Sequence, residues 1–445
     1  MAKPRFVFPE GQCYDCHSCA LCCPAYEIGV TAAEKQRLVE QRWEEDAATA
    51  GQQLFVERKR DTVLALGERG SCVFLDDWNL CRIHAKFGEP TKPLGCRAYP
   101  FGLVPTGHEV RVSVRFDCPS VAANQGRSLA EHRPWLEALS SEVLPPNAGE
   151  LAPPAFRGEQ RLEWSQLRRL TNALLGVLTN QELSFTRRLI ACVTMTHLMR
   201  RAKVDKLTGG GLKEFLQLSE EVSLKDAEAE DLDTPAPTGR GGLLFRQSLA
   251  LYGRRDLPSD VLRSARHTAA RTGGRFRQAL RFVRGRGTVP ALQPDFPEVD
   301  FLALEEPLGE PAGESAEALL RFYTGKLTGM TFCGRAYYHV PFVEGLYGLW
   351  LTYPVALWYA RLFARGDART RLAPEFVQRA LRLVDWHHGR TPAFGTRSER
   401  GRAAFLSSEG LVVKPAIHDF AAISTICALS APSVNSLIAS VFNVT

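Results

Sequence analysis

Nine cysteines in the first 118 residues are close enough together to predict a shared chemical role. Five of them fall between Cys13 and Cys23, and three of the chain's twelve cysteines lie outside the group. The nine are Cys13, Cys16, Cys19, Cys22, Cys23, Cys72, Cys81, Cys96 and Cys118. Thiolates packed this densely repel one another unless a metal neutralises them or disulfides join them. The sequence therefore predicts either a metal centre or a disulfide framework.

The start of the chain and its composition bear on that choice. Residues 1–10 contain no apolar stretch of the kind found in secretory signals, so we expect a cytoplasmic protein. In the reducing cytosol disulfides are rare, and clustered cysteines are more often metal ligands. With 445 residues, 45% hydrophobic and 23% charged, the chain can also bury a sizeable core without disulfides. These observations favour a metal centre.

The cysteine spacing bears on which metal is bound. The run from Cys13 to Cys23, followed by proline, contains the Cys-x2-Cys-x2-Cys-x3-Cys-Pro spacing of bacterial ferredoxins. Zinc sites usually pair two Cys-x2-Cys turns, and the later cysteines contain no such pair. The adjacent Cys22 and Cys23 indicate two metals, a multinuclear cluster, or one ligand beside a bystander. We therefore expect an iron–sulfur cluster, of the 4Fe–4S type, in preference to zinc.

Five short blocks stand in a characteristic order in the first 120 residues. The blocks are Cys16-x2-Cys19-x2-Cys22-Cys23, Thr31-x2-Glu34, Cys72-Val73-Phe74-Leu75-Asp76, Cys81-Arg82-Ile83-His84 and Lys92-Pro93-Leu94-Gly95-Cys96-Arg97-Ala98-Tyr99-Pro100-Phe101. In order and approximate spacing they resemble the YkgJ-type cysteine-cluster family, whose CxxCxxCC domain is described as zinc- or iron-chelating. The later pair Cys118-Pro119 is also similar to that family.

The resemblance implies a ligand set that leaves out the first cysteine. The ligands it implies are Cys16, Cys19, Cys22, Cys23, Cys72, Cys81, Cys96 and Cys118. The ferredoxin spacing uses Cys13, so the two registers compete and both stay open. The chain also departs from the family at Ala20, where glycine is frequent, and at Lys92-Pro93, where Arg-Pro is frequent.

Other polar residues have weaker signals. Arg97, next to Cys96, is either a residue that offsets the charge of a cluster or an ordinary surface arginine. His17 is expected to be solvated, whereas His84 is a reserve ligand less favoured than the thiolates. The cluster at 385–388, Asp-Trp-His-His, contains adjacent histidines, which point about 100° apart on a helix and suit one metal poorly. We expect that cluster to cap a helix end and to be exposed.

The elements that must position the cysteines are few. A capping box at Thr31 and Glu34 predicts a helix to about residue 53, and residues 73–75 and 110–115 are predicted strands. We expect an α+β fold, with a small, irregular, metal-stabilised and cysteine-rich N-terminal domain followed by a mainly α-helical C-terminal region. The predicted divisions are 1–125 for the cysteine-cluster domain, 126–225 for a helical region, 226–242 for an acidic linker, 243–400 for a helical domain and 401–445 for a C-terminal tail.

Apolar residues spaced three and four apart predict helices over 162–178 and 185–207. The most apolar window, 342–360, contains Glu344 and Pro354, so a buried core helix is favoured over a membrane span. The three remaining cysteines lie in apolar surroundings and are predicted to be buried and structural. They are Cys192, Cys333 and Cys427.

The charge of the chain is unevenly distributed. Between Arg240 and Arg286 there are twelve arginines, no lysine and two acidic residues, so this segment carries +10 in a chain of net charge +6. A basic face of this kind suits an acidic partner or phosphate groups, but few aromatic side chains are interleaved to stack on bases. Nucleic acid is therefore possible but not favoured, and we expect a protein partner or a protein substrate.

Two functions are compatible with these patterns. The first is a metal-cluster protein whose helical region binds a partner or substrate. The alternative is an S-adenosylmethionine-dependent protein-lysine N-methyltransferase, because residues 317–362 are similar in character to the helical part of the flagellin lysine-N-methylases. The glycine clusters at 209–211 and 239–242 do not follow a convincing strand, as a Rossmann-type cofactor site requires. No catalytic residue is assigned, and whether the protein is an enzyme stays open.

Overall fold

Short strands lie in the N-terminal part of the chain, and helices form the remainder. The computed structural model describes residues 4–23, 26–58, 61–67, 70–207, 209–230, 240–254, 268–304, 308–388 and 391–408. Its strands fall between residues 5 and 161, and the regular elements described from residue 164 onward are helices. The predicted α+β fold, with a cysteine-rich N-terminal region and a helical C-terminal region, is thus confirmed.

The strands form four small sheets. In chain order they are β1 (Arg5–Val7), β2 (Cys13–Tyr14), β3 (Gly29–Val30), β4 (Phe55–Glu57), β5 (Thr62–Leu64), β6 (Phe101–Thr106), β7 (Glu109–Val114), β8 (Arg127–Ser128), β9 (Ala155–Arg157) and β10 (Gln160–Arg161). The sheets have the orders β1-β7-β6, β3-β5-β4, β2-β8 and β10-β9. β1 is parallel to β7, and the other pairs are antiparallel. The first sheet therefore places the start of the chain beside the strand that precedes Cys118.

The alternation at 110–115 correctly predicts β7, but both faces of this strand are buried. Val110 and Val112 pack with Phe6 on one face. On the other face the Arg111 guanidinium donates a hydrogen bond to the Thr328 carbonyl oxygen at 3.0 Å. The polar face of the strand thus contacts the helical region, because the sheet lies against it.

The strand predicted at 73–75 is wrong. Isolated β-bridges at Cys72 and Cys81 flank this stretch, and it contains a turn. Val73 and Phe74 are buried because they join a small core around Trp43, whose ring lies 5.1 Å from that of Phe74 between centroids. Periodicity alone cannot distinguish a short apolar run of this kind from a strand.

The capping box predicted at Thr31 is present. The Thr31 side chain accepts a hydrogen bond from the Glu34 amide, and the Glu34 carboxylate accepts one from the Thr31 amide. The helix it begins, Ala32–Glu40, is shorter than predicted, because Arg42 adopts a left-handed conformation with φ of 53°. A 3₁₀ turn at Trp43–Glu45 follows and buries Trp43.

Fourteen α-helices are present in the described part of the chain. They are α1 (Ala32–Glu40), α2 (Arg82–Phe87), α3 (Leu94–Ala98), α4 (Pro119–Ala122), α5 (Arg133–Val143), α6 (Trp164–Thr179), α7 (Phe185–Arg201), α8 (Gly209–Ala229), α9 (Arg240–Gly253), α10 (Thr268–Arg284), α11 (Glu314–Thr328), α12 (Phe342–Gly366), α13 (Pro374–His387) and α14 (Arg397–Ser408). The helices predicted over 162–178 and 185–207 correspond to α6 and α7, with a 3₁₀ turn ending the second stretch.

α12 is the central helix of the structure. Nearly every residue along its length is buried, and α7, α13 and α14 pack around it. Helices that are apolar all round are stable only when other elements cover them. The predicted buried core helix at 342–360 is therefore confirmed.

Among the helices that the structure describes, none is long and apolar enough to cross a membrane.

One hydrophobic core includes residues from both ends of the chain. It extends from Tyr14, Val114 and Phe116 to Leu406. The rings of Phe116 and Phe322, on α11, meet edge to face at 5.2 Å. The last strands of the cysteine-rich part are therefore held by the helical region as well as by their own sheet.

The predicted basic and acidic segments are described in part. Arg263 and Arg266 of the basic face, and residues 231–239 of the acidic interval, lie outside the described residues, as does Cys427. Arg246 is buried rather than presented on a face, and it donates hydrogen bonds to the Arg284 carbonyl. The other two predicted structural cysteines are buried as expected: Cys192 and Cys333.

Candidate metal centre

The run of cysteines follows β2 as a tightly turning loop. Cys16 and Cys19 are exposed, and Cys22 and Cys23 are half-buried. Ser18 and Ala20 have φ of 52° and 55°, in the left-handed region that residues with a Cβ rarely adopt. Ala20 stands where the resembling family often has glycine, so the departure noted in the sequence falls at a position that favours glycine.

The later cysteines lie at the ends of short elements. Cys72 and Cys81 occupy the two β-bridges around the turn at 73–75, and Cys81 also directly precedes α2. Cys96 lies in the short helix α3, and Cys118 directly precedes α4. Helix starts present unpaired amide groups and partial positive charge, which stabilise a thiolate.

Burial is the main influence on the pKa of three of these four thiols. It raises the pKa of Cys72 and of Cys96 to about 12, and that of Cys118 to about 11. The amides of Ser120 and Val121 act in the opposite direction on Cys118, since they favour the thiolate. The thiols therefore stay protonated until a cation replaces their protons.

The structure brings most of the predicted ligands into one neighbourhood centred on Cys22. Cys72 interacts electrostatically with Cys96, Cys81 and Cys22. Cys118 interacts with Cys19 and Cys22. Cys22 hydrogen-bonds Cys23, and this contact followed by burial raises the pKa of Cys22. Cys16 joins the group through Tyr14, whose raised pKa results first from burial and then from Cys16 and Cys118.

Cys13 lies apart from that neighbourhood. It is paired in β2 opposite Ser128, and its amide donates to the Asn124 side-chain oxygen at 2.7 Å. Its neighbour Tyr14 is the buried residue of the strand, and side chains alternate along a strand. Cys13 interacts with the Arg321 guanidinium of α11. Of the two predicted ligand sets, the family set, which leaves out Cys13, is therefore the one made of neighbouring thiols.

In the described residues, no three histidine, cysteine, aspartate or glutamate side chains are arranged to hold an ion as they stand. The donor chemistry nevertheless fits a soft metal, because the assembled groups are thiols. Lys92, whose charge favours the thiolates of Cys22 and Cys96, is a nearby cation. To bind a metal, the thiols would therefore have to lose their protons and their side chains would have to move, although they already lie in one region of the structure.

Arg97 is not an ordinary surface arginine, because it is largely buried and paired. Its guanidinium pairs with Glu89 at 3.2 Å and with Glu142 at 2.8 Å, so it fastens α3 to α5. The two histidines near the cysteines are exposed: His17 hydrogen-bonds the Ser120 hydroxyl at 2.9 Å, and His84 lies on the surface of α2.

Glu34 connects α1 with the helix that carries Cys96. Its carboxylate accepts hydrogen bonds from the Thr31 amide at 2.8 Å and from the Leu94 amide at 2.6 Å. Burial acts to raise the pKa of Glu34, but these hydrogen bonds have the larger combined effect and lower it. Since Leu94 begins α3, the capping residue of one helix also fixes the start of the helix that presents Cys96.

A buried ion-pair network joins the end of β7 to two C-terminal helices. The buried Asp385 carboxylate pairs with the Lys326 ammonium and accepts a hydrogen bond from the Phe116 amide at 2.6 Å. Arg115 donates to the Asp385 carbonyl oxygen at 2.9 Å and pairs with Asp117 at 3.1 Å. Each buried charge in this network thus has an opposite charge beside it, as buried ions require.

The exposure predicted for the Asp-Trp-His-His cluster is wrong. Asp385, His387 and His388 are 0%, 7% and 2% exposed, because α13 packs against α11, α12 and α4. Both ring nitrogens of His388 lack a hydrogen-bond partner among the described residues, and the ring stacks on Tyr337 at 4.5 Å between centroids. Burial, assisted by the Lys326 charge, lowers the pKa of His388 to about 3.

Two tyrosines link the cysteine segments to this network. The Tyr26 hydroxyl donates to Asp117, and its ring stacks on that of Trp386 at 4.9 Å between centroids. The Tyr99 hydroxyl donates to the other Asp117 oxygen at 3.3 Å. Tyr26 follows the cysteine run and Tyr99 follows Cys96, so both cysteine segments are hydrogen-bonded to Asp117. The sequence signal for this role is an acidic residue directly before the late Cys-Pro pair.

Comparison with known proteins agrees with the cysteine pattern. Residues 15–119 match the family model described as "CxxCxxCC: Putative zinc- or iron-chelating domain". The resemblance that the sequence predicts is therefore confirmed for this segment. No curated protein and no solved structure matches the chain.

Proposed function

We propose that this CxxCxxCC domain binds a metal cluster through its neighbouring thiols, and that the cluster is iron–sulfur in preference to zinc. The observation that carries the proposal is the shared environment of four cysteines from separate segments. These are Cys22, Cys72, Cys81 and Cys96. Buried thiols in this number are costly to ionise unless a metal neutralises them, and metal binding then contributes to folding.

The spacing of the later cysteines favours iron–sulfur, because it contains none of the Cys-x2-Cys turns that zinc sites usually pair. A second group, Cys16, Cys19 and Cys118, adjoins the first around Cys22. One tetrahedral zinc ion takes four ligands and one 4Fe–4S cluster takes four cysteines, so either leaves three of these seven thiols unused. Cysteine thiolates are the ligands of 4Fe–4S clusters, which when bound supply one-electron transfer. The nine cysteines stay the predicted candidates for ligands, and among them we propose Cys13 as the bystander because of its position beside Arg321.

For the helical region we propose binding of a protein partner or substrate. Support comes from the Asp385 network, which ties α11 and α13 to the residues beside Cys118, so that a protein bound to these helices contacts elements that hold the centre. We also propose a reducing, cytoplasmic location, since the eleven described cysteines are free thiols.

The methyltransferase alternative has no specific observation in its favour. The glycines at 209–211 begin α8 after a 3₁₀ turn, and Gly241 and Gly242 lie inside α9. Among the residues that the structure describes, no strand leads into either cluster, as a Rossmann-type site needs. The methyltransferase function stays a prediction of the sequence alone.

Anaerobic purification of the full chain tests the metal proposal. We expect a brown protein with charge-transfer absorption and bound iron and sulfide. Replacing Cys72 by serine should remove most of the metal, whereas Cys13→Ser should retain it, because Cys13 lies outside the group of thiols. A colourless protein with stoichiometric zinc would reject iron–sulfur, and metal-free protein with freely alkylated cysteines would reject both metals.

A further inference from the structure

A large cleft lies between the first sheet and two helices of the C-terminal region. It has a volume of about 1070 Å³ and is lined by β1, β7, α6 and α11. That volume lies just above the range of about 300–1,000 Å³ that is usual for sites that take cofactors and drug-sized ligands. The cysteine neighbourhood contributes none of its thiols to the lining, so the cleft is a separate site.

The cleft is positively charged. Its lining includes five arginines and three glutamates. The arginines are Arg5, Arg111, Arg168, Arg169 and Arg321. Arginine presents a planar fork of donors that matches carboxylate and phosphate groups. The sign of the charge therefore selects against cationic ligands.

Two of the arginines already have partners. Arg111 donates to the Thr328 carbonyl oxygen at 3.0 Å and to Glu109 at 3.3 Å. Arg168 donates to the Thr106 carbonyl oxygen at 3.1 Å and lies 3.8 Å from the same Glu109 carboxylate. These residues build the wall of the cleft, and Glu109 is shared between them.

The other three guanidinium groups have no hydrogen bond or ion pair within the described residues: Arg5, Arg169 and Arg321. Arg5 and Arg169 are exposed, whereas Arg321 is half-buried and its Nε atom is buried without a partner. Burial lowers the pKa of Arg321, with Glu317 acting in the opposite direction. A buried donor that lacks an acceptor costs free energy, and an anion in the cleft would supply the acceptor.

The remaining lining is mixed. Phe8, Leu175 and Leu320 provide apolar surface, and the side chains of Asn172 and Thr324 provide polar groups. Arg133 covers the Phe8 ring at 4.9 Å, so that ring is a wall rather than a platform for stacking bases. The apolar surface suits the body of an organic molecule, and the arginines suit its charged end.

We propose that this cleft binds a small organic oxyanion, in which a phosphate or carboxylate group is attached to an apolar body. Arg5, Arg169 and Arg321 hold the anionic group, and the apolar side chains contact the body. S-adenosylmethionine and a lysine side chain both carry net positive charge near neutral pH, so the cleft fits neither. This site is independent of the metal proposal and goes beyond it.

Isothermal titration calorimetry of the full chain tests this site, with hexyl phosphate, hexanoate and hexyltrimethylammonium as probes. We expect one or both anions to bind and the cation to give no heat, with the tighter anion identifying the preferred oxyanion. Arg321→Gln should weaken anion binding at least tenfold, and the exposed Arg169→Gln several-fold. Arg369→Gln, an exposed arginine outside the cleft, should bind as the parent does.

Absence of heat with both anions would overturn the proposal, as would equal affinity in all four proteins or equal binding of the cation. Because Arg321 is half-buried, its variant can lose binding by misfolding. Arg169→Gln keeps the test valid, since that residue is on the surface. Metal content is measured in parallel on every variant, so that loss of the anion with metal retained separates this site from the metal centre.

Discussion

Two parts of this molecule bury apolar residues on very different scales. The segment that carries Cys72, Cys81 and Cys96 has a small core of eight buried residues around Trp43. The helical region has a core that surrounds α12 and continues into the residues beside Cys118. Small cores rarely stabilise a fold alone and are often supplemented by metals or disulfides. We therefore expect the first part to depend on its thiols for stability and the second part to be stable without them.

The boundary between the two parts does not coincide with the end of the cysteine pattern. Phe116 and Cys118 belong to the large core, although they lie within the segment that matches the cysteine domain. We therefore expect dependence on the metal to be concentrated between residues 26 and 98.

Removal of the metal should have the largest effect. Chelation of the metal-loaded protein should expose the amides of residues 26–98 to hydrogen exchange, while those of β7, α4 and α12 stay protected. Structural metal sites contribute on the order of 10 kcal/mol to the folding of small domains. Hydrogen exchange read by mass spectrometry checks this. Cys192→Ala, at a buried cysteine of the helical core, is the control and should retain the metal. Loss of protection in both parts at once would contradict the prediction that only the first part depends on the metal.

Breaking the Asp385 network should have the next largest effect. Asp385→Ala leaves Lys326 buried without its counter-ion and removes the acceptor of the Phe116 amide. We expect a loss of about 3–5 kcal/mol in the free energy of unfolding, measured by urea denaturation. Asp295→Ala, which removes an exposed pair with Arg379, should cost no more than about 1 kcal/mol. Equal effects in the two variants would mean that the buried pair does not join the two parts.

His388 should make the stability of the helical part depend on pH. Its pKa of about 3 in the folded protein lies below the ordinary value of 6.5, so the unfolded chain binds the extra proton. Stability is therefore complete above pH 6.5 and falls as the pH is lowered toward 3, by about 1.4 kcal/mol per pH unit. The charges that face His388 are Lys326, Asp385 and Arg115.

The pH effect is isolated by comparing the parent with His388→Phe, which keeps an aromatic ring beside Tyr337. Burial also lowers the pKa of His197, which adds a slope of the same sign, whereas the raised pKa of Glu399 has the opposite effect. Asp385 has a lowered pKa, so its stabilisation is lost only at more acidic pH. The difference in unfolding free energy between parent and variant should change by about 2 kcal/mol from pH 6.5 to 4.5. An unchanged difference would contradict the prediction.

The smallest predicted effect is a gain in metal affinity. Ala20→Gly should stabilise the loop that carries Cys19 and Cys22, because the left-handed backbone at this position costs a residue with a Cβ about 1 kcal/mol. Metal affinity in a chelator competition should rise about two- to fivefold. Ala123→Gly, at a right-handed position with φ of −82°, is the matched control and should bring no gain. A weaker affinity in Ala20→Gly would mean that the loop changes conformation when metal binds.

Local signals in the sequence predict the local structure well. The Thr31–Glu34 capping box, the β7 strand and the buried helix at 342–360 each depend on residues close together in the chain. The order of the cysteine blocks also predicts the family match over residues 15–119. In each case spacing alone determines the geometry, since capping and periodicity are properties of neighbouring residues.

Contacts between distant segments are what sequence reasoning misses. Asp385 has the polarity of a surface residue, and only the packing of α13 shows that it is buried beside Lys326. Arg97 sits next to a cysteine but pairs with Glu142 of another helix. Cys13 has ferredoxin spacing, yet it is paired in β2, where it alternates with Tyr14, the residue that contacts Cys16. These outcomes depend on tertiary structure, which a single sequence does not report.

The hydrogen bond from the Phe116 amide to Asp385 has a consequence for synthesis on the ribosome. The two residues are 269 positions apart, and chains grow at about 5–20 residues per second. The cysteine segment therefore emerges some 15–50 s, to order of magnitude, before the carboxylate that completes its anchor. During that interval we expect Cys72, Cys81 and Cys96 to depend on their own small core alone. We expect delivery of the metal to be most productive once the last helices have left the exit tunnel.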